Sequence, residues 1–292
     1  MIISVLKELL WYMNTNIMKI LKIQTGKVRI KENQISKSKG YVPQIFNVLF
    51  GKNWADWAPI YAWVIVHEEG VIVVDTGETH KTSVKGYLPK WHPYYALAVD
   101  FDVKPEDEIG PQLLKLGINP EKDVKKVIMT HMHTDHAGGL HHFPNSEIII
   151  DKNEFKSASG LKGRLAGYLP HRWPKWLKPT LIDLPNHRYF AFNRSMAVTK
   201  DGKVMIVATP GHVENHISVI AQIDGLNYFL AGDTSYTQEN LLNEIPDGIG
   251  TSESVNTLKN ILSFSKLKPT VYLPSHDPLV PKRMADKEVV SL

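Results

Sequence analysis

Val124-Lys125-Lys126-Val127-Ile128-Met129-Thr130 runs directly into His131-Met132-His133-Thr134-Asp135-His136, and Ala137-Gly138-Gly139 follows. The first seven residues, apolar and rich in β-branched side chains, read as a strand. In an extended segment side chains two apart point to the same side, so His131 and His133 aim at one point just beyond that strand. Asp135 and His136 follow at a turn, where the glycines let the backbone bend sharply. One short segment thus presents four potential ligands in two directions. That is more than a mononuclear site usually takes from one place, so two adjacent metals are the natural inference. Imidazole and carboxylate suit zinc, and also iron, manganese or cobalt. A chain with 13 histidines must hold some idle ones. Three histidines and an aspartate within six residues at a strand end are nevertheless hard to explain by packing.

Working outward, three single residues stand where other strands end. They are His212 in Thr209-Pro210-Gly211-His212, Asp233 in Ala231-Gly232-Asp233-Thr234, and His276 in Pro274-Ser275-His276-Asp277. Each is weak evidence by itself; together they supply the missing ligand types. The strands that lead there are equally apolar. Tyr61–Val66 and Val71–Val74 read as a hairpin around Glu68-Glu69-Gly70. Glu147–Ile150, Lys203–Ala208, Ile217–Ile223, Tyr228–Ala231 and Thr270–Leu273 follow, with a turn at Asp224-Gly225. Helical spacing marks Glu106–Leu116, ending at Gly117, and Ser252–Ser265. Two runs of strands with interspersed helices predict a layered α/β protein, two sheets face to face with helices outside. Residues 41–59 and 160–179 are aromatic-rich and poor in strand pattern. Phe50, Trp54, Trp57, Tyr168, Trp173 and Trp176 in them are candidates to cap a core or line a pocket.

Composition narrows the chemistry. The chain has 292 residues, 43% hydrophobic and 22% charged, a formal charge of +4 and no cysteine. Disulfides, thiol nucleophiles and thiolate metal sites are excluded together, so any metal is held by nitrogen and oxygen. Lys and Arg are scattered rather than clustered, which gives no warrant for nucleic-acid binding. No stretch approaches the ~20 apolar residues needed to span a bilayer. Residues 1–20 read as an N-terminal extension or short amphipathic helix, docked on the body or on a second subunit. Their charges at Lys7 and Glu8 make a poor secretory signal. Residues 21–292 read as a single domain, and the expected location is the cytoplasm.

With Val74-Asp75-Thr76-Gly77 added, the segments from Tyr61 to Asp277 resemble, in order, the metallo-β-lactamase superfamily. The resemblance implies an αββα sandwich with its site at one edge between the sheets. It implies two divalent metal ions per chain, with zinc the expected ion. His131, His133 and His212 would hold one, Asp135, His136 and His276 the other, and Asp233 would bridge both along with a hydroxide. Asp75 would orient a ligand or merely close the hairpin.

Within that superfamily the fold does not choose the reaction. A β-lactamase with a cysteine ligand is excluded, and only sixteen residues follow His276, too few for the glutathione-binding region of glyoxalase II-like enzymes. No flavin domain points to a flavodiiron protein, and no basic arm to a tRNA nuclease. Gly232-Asp233-Thr234-Ser235-Tyr236 resembles the N-acyl-homoserine lactone lactonases, the quorum-quenching lactonases. There a tyrosine three residues after the bridging aspartate reaches the substrate carbonyl. The resemblance implies hydroxide attack on the lactone carbonyl, oxyanion stabilisation by a metal and Tyr236, and proton return by Asp135. The expected partner is a small lactone with an acyl chain, and a homodimer is allowed. The alternative is a two-metal hydrolase of the same fold acting on another ester, thioester or phosphotriester. His80, His92, His141, His142, His171, His187 and His216 receive no role. His216, four residues after His212, either orients a neighbour or packs.

Overall fold

β-branched and apolar runs form the strands, and the computed structural model describes them within residues 18–36 and 44–291. The described residues divide into two units. One draws on the described residues up to Gly26, on Ile60–Ser83 and on Asp102–Ile182, the other on the described residues from Lys27 to Pro59, on Val84–Phe101 and on those from Asp183 onward.

The first unit is entered by β1 (Lys19–Ile30), whose last four residues belong to the second unit, and continues with β2 (Ala58–His67), whose first two do as well, and β3 (Gly70–Val74). β2 and β3 are the expected antiparallel hairpin, in register from Trp63 opposite Val74 to His67 opposite Gly70. Gly70 has φ of 114°, a conformation that other residues rarely adopt. After β4 (Val99–Asp102), whose first three residues belong to the second unit, come β5 (Val124–Ile128), β6 (Glu147–Asp151) and β7 (Thr180–Ile182). β3, β5, β6 and β7 pair in parallel. Strands of that kind are covered on both faces, and Val71–Val74, Val127, Ile128 and Ile148–Ile150 are buried accordingly.

The second unit carries a sheet of β8 (Ser195–Ala197), β9 (Val204–Ala208), β10 (Ile217–Ile223), β11 (Leu226–Gly232) and β12 (Thr270–Pro274), ordered β12-β11-β10-β9-β8. Asp224 and Gly225, both at positive φ, turn β10 into β11, as a tight hairpin requires. β11 and β12 are parallel, so the chain needs a crossover, and the helix Ser254–Leu267 supplies it. Its Leu258, Ile261, Leu262 and Phe264 join Phe229 and Tyr272 in one buried cluster.

Three expectations change in detail. β5 ends at Ile128 rather than Thr130, because the Asp75 carboxylate, not a neighbouring strand, accepts the Thr130 N–H at 2.8 Å. The helix expected over Glu106–Leu116 is split. Pro105–Asp107 is a 3₁₀ turn, Ile109–Lys115 is the helix, and Glu108 between them is extended (φ −59°, ψ 151°). β1 takes in Lys19 and Ile20, while residues 1–17 of the expected N-terminal helix, and Tyr41 of the aromatic segment, lie outside the described residues. Among the described residues no helix is long and apolar enough to cross a membrane.

Candidate metal centre

Each unit gathers its own set of ligand-type side chains, and in each a hydrogen bond on one ring nitrogen decides what the other can do. In the first unit the chain leaves β5, and Thr130 donates its hydroxyl hydrogen to Asp75 Oδ2 at 2.8 Å. Its oxygen, 3.1 Å from His131 Nδ1, can then only accept from that ring. The His131 lone pair is therefore on Nε2, which faces His133 Nδ1 at 3.0 Å. His136 Nδ1 donates to Asp75 Oδ2 at 2.8 Å, again leaving the lone pair on Nε2. The His131 and His136 rings lie 4.1 Å apart, and those of His131 and His133 4.6 Å. Asp135 occupies the first turn of the short helix Thr134–Ala137, beside His136.

Asp75 thus orients His136 and Thr130 rather than merely closing the hairpin, and it does so from a backbone held at φ 57°. Glu154 accepts the Met132 N–H at 3.0 Å, pinning the residue between the two histidines. The Tyr168 ring packs on His133 at 4.9 Å. Glu78 is fully buried near Asp135, and burial pushes its carboxyl up to about 8 despite hydrogen bonds from the Thr79 N–H and Thr134 hydroxyl.

The second unit repeats the arrangement. His212 Nδ1 donates to Asp247 Oδ2 at 2.6 Å, and His276 Nδ1 donates to the Pro59 carbonyl at 2.8 Å. Their Nε2 lone pairs then face the two oxygens of Asp233, at 3.6 Å and 3.4 Å. Acceptor facing acceptor on both sides of one buried carboxylate is an arrangement that a cation resolves. His216 has a role after all: its Nε2 accepts the Asp233 N–H at 3.2 Å, fixing the backbone of that aspartate. Asp277 holds the loop after His276, accepting from Gln238 and Leu279 N–H groups and from the Arg283 guanidinium.

Tyr236 is buried, its ring 5.8 Å from that of His276. Its hydroxyl oxygen accepts from Gln34 Nε2 at 2.9 Å, and the same amide donates to Tyr94 Oη at 2.9 Å. Burial, then the nearby Tyr94, Asp247 and Asp233, holds the Tyr236 phenol well above its ordinary pKa. Asp247, Gln34 and Glu154 were not legible from the chain. Of the other aromatic candidates, Trp54 lies under the Arg29 and Lys31 cations, Trp173 stacks on Phe155, and Phe50, Trp57 and Trp176 are exposed.

The donor chemistry fits a divalent ion of the zinc type: imidazole nitrogens and carboxylate oxygens, with rings oriented by hydrogen-bonded partners. Donor sets of this kind at the strand ends of an α/β fold are those of a metal-dependent hydrolase. The chain belongs to the metallo-beta-lactamase superfamily, whose family model matches residues 55–276. An N-acyl homoserine lactonase from Bacillus sp is 31% identical over 228 residues, 75% of this chain and 81% of that protein. Among solved structures, an N-acyl homoserine lactone hydrolase with N-hexanoyl-L-homoserine at its catalytic metal centre is similar in fold. Its TM-score is 0.71 at 21% identity, covering 94% of this chain and 98% of that one. AidC, a dizinc quorum-quenching lactonase, has a TM-score of 0.60 at 16% identity, covering 89% and 88%. The fold is that of the metallo-β-lactamase type, as the motifs implied.

Asp247 yields a prediction here. Asp247→Asn keeps the shape but releases the His212 tautomer, because an amide can offer its N–H to Nδ1. Zinc affinity is expected to fall about 10–100-fold, the usual cost of losing an outer partner of a ligand histidine. Competition against a chromogenic chelator measures it, and unchanged affinity would remove Asp247 from the site.

Proposed function

We propose that this protein opens the lactone ring of N-acyl-homoserine lactones at a dinuclear centre, with residues 21–292 acting as one hydrolase domain. In this reading His131, His133 and His212 would hold one divalent ion and Asp135, His136 and His276 the other, with Asp233 serving both. The observation that carries it is Tyr236, a buried phenol kept protonated and steered by Gln34, three residues beyond Asp233. The lactonase relative supports the substrate class.

Two divalent ions of the zinc type held there would supply a hydroxide near neutral pH and a counter-charge for the leaving oxygen. Tyr236 donates its hydrogen bond to the carbonyl oxygen as that oxygen gains charge. Asp135 would take up the proton of the attacking hydroxide and pass it to the ring oxygen as the C–O bond breaks. Asp75 and Asp247 keep the His136 and His212 rings in one tautomer throughout. An acyl tail needs an apolar seat, and the second unit offers one. It is a hollow of ≈ 360 Å³ lined by Asn33, Phe46, Asn47, Phe50 and Gly51, with the two phenyl rings as its apolar part.

The test incubates zinc-loaded protein with butanoyl- and decanoyl-homoserine lactone and follows acid release. Ring opening with both, and faster turnover at low concentration for the longer chain, is expected. If neither opens above background while a thioester or phosphotriester is cleaved, the lactone assignment fails and the alternative hydrolase reading replaces it.

A further inference from the structure

We propose that Glu108, His141 and His142 form a separate divalent-cation site in the first unit, apart from the histidine segment at 131–136. The ligand atoms of these three residues lie within 4.8 Å of one another. His141 makes the strongest argument. Its Nδ1 is 3.1 Å from the Gly138 carbonyl, which can only accept, so Nδ1 carries the hydrogen. A neutral His141 ring then presents the Nε2 lone pair to Glu108 Oε2 at 3.1 Å, acceptor against acceptor. Either the ring holds a second proton or a cation stands between them. His142 Nε2 reaches the same oxygen at 2.6 Å.

The rest of the cluster is built to present that oxygen. Glu108 breaks the helix expected around it and is 3% exposed. Its other oxygen is fully engaged, accepting from the Thr79 hydroxyl at 2.7 Å, the His80 N–H at 2.9 Å and the His80 ring. Burial alone would raise the Glu108 carboxyl; the polar groups of His141, His142, Thr79 and His80 gathered around it outweigh burial and hold it well below the usual carboxylate range. Gly110 makes room for the His142 ring, since a Cβ there would stand 2.3 Å from its Nδ1. The His141 and His142 side chains keep 34% and 20% of their exposure, so an ion can enter from solvent. Ligands at ~2.0 Å in a tetrahedral zinc site sit about 3.3 Å apart. The 3.1 Å pair is near that spacing already, and the 2.6 Å pair opens as the ion replaces a proton.

The test titrates chelator-stripped, full-length protein with cobalt(II), by visible absorption and equilibrium dialysis. Wild type is expected to bind one equivalent more than the His141→Gln/His142→Gln double variant. The same one-equivalent difference is expected in a His131→Ala/Asp233→Ala background, which separates this site from the proposed catalytic one. Glu108→Gln should weaken the extra equivalent at least tenfold. A second reading independent of variant folding comes from wild type alone: cobalt should broaden the His141 and His142 ring signals in NMR spectra. Equal stoichiometry in both backgrounds, or unbroadened ring signals at saturating cobalt, overturns the proposal in favour of a purely protonated cluster.

Discussion

Asp233→Asn is expected to abolish zinc-dependent turnover and yet to stabilise the metal-free protein. In the structure the two carboxylate oxygens face the Nε2 lone pairs of His212 and His276 at 3.6 Å and 3.4 Å, because Asp247 and the Pro59 carbonyl occupy the other ring nitrogens. Without an ion this crowding of lone pairs is unfavourable on both sides. An asparagine amide can donate to one of the two imidazoles, removing half of the conflict. In the proposed dinuclear centre it could not replace a charged ligand shared by two ions, so metal affinity should fall by well over the ~10–100-fold that follows loss of an outer partner. The backbone bond from Asp233 to His216 Nε2 is untouched by the change, so the loop keeps its place. Thermal unfolding at neutral pH, with and without zinc, provides the measurement. The variant should melt above wild type after chelation and gain little from added zinc. A variant that gains as much from zinc as wild type would show that Asp233 is not a ligand.

The candidate ligand residues were visible in the chain because each stands at or just after the end of an apolar strand, where a local pattern announces a polar residue out of place. His131 and His133 follow β5, Asp233 follows β11, and His276 follows β12. The residues that orient them carry no such mark. Asp247 lies 35 positions from His212 in a loop without periodicity, and Gln34 lies 202 positions from Tyr236. Only the folded chain brings these pairs together. Glu108 was hidden differently: in the sequence it looks like one more charge on an amphipathic helix, and only the extended backbone at that position turns it inward. β1 is hard to see because its alternation is broken, with Ile20 and Ile23 three apart and Thr25 and Gly26 both buried, and helical spacing precedes it. β7 and β8, three residues each, are too short for any pattern to show. Strand order was out of reach, because parallel neighbours such as β11 and β12 are separated by a whole helix.

Tyr236→Phe should lower kcat about 10²-fold, leave KM within a few-fold and leave zinc content unchanged. Gln34 commits both amide hydrogens, one to Tyr236 and one to Tyr94, at 2.9 Å each. The Tyr236 oxygen is thus an acceptor towards Gln34, and its own hydrogen is directed elsewhere. Burial holds the phenol well above its ordinary pKa, so it remains a donor across the working pH range and cannot serve as a base. A donor of this kind matters when the carbonyl oxygen becomes an oxyanion, and removing one such donor typically costs about 10²–10³ in kcat. Phenylalanine keeps the ring against His276, so packing and ligand placement are preserved. Because tyrosine never ionises in this reading, the wild-type and variant pH profiles should be parallel, displaced only in height. A profile in which the variant loses an alkaline limb would make Tyr236 a titrating group instead. A fall in kcat matched by a fall in bound zinc would reduce it to support for the His276 loop.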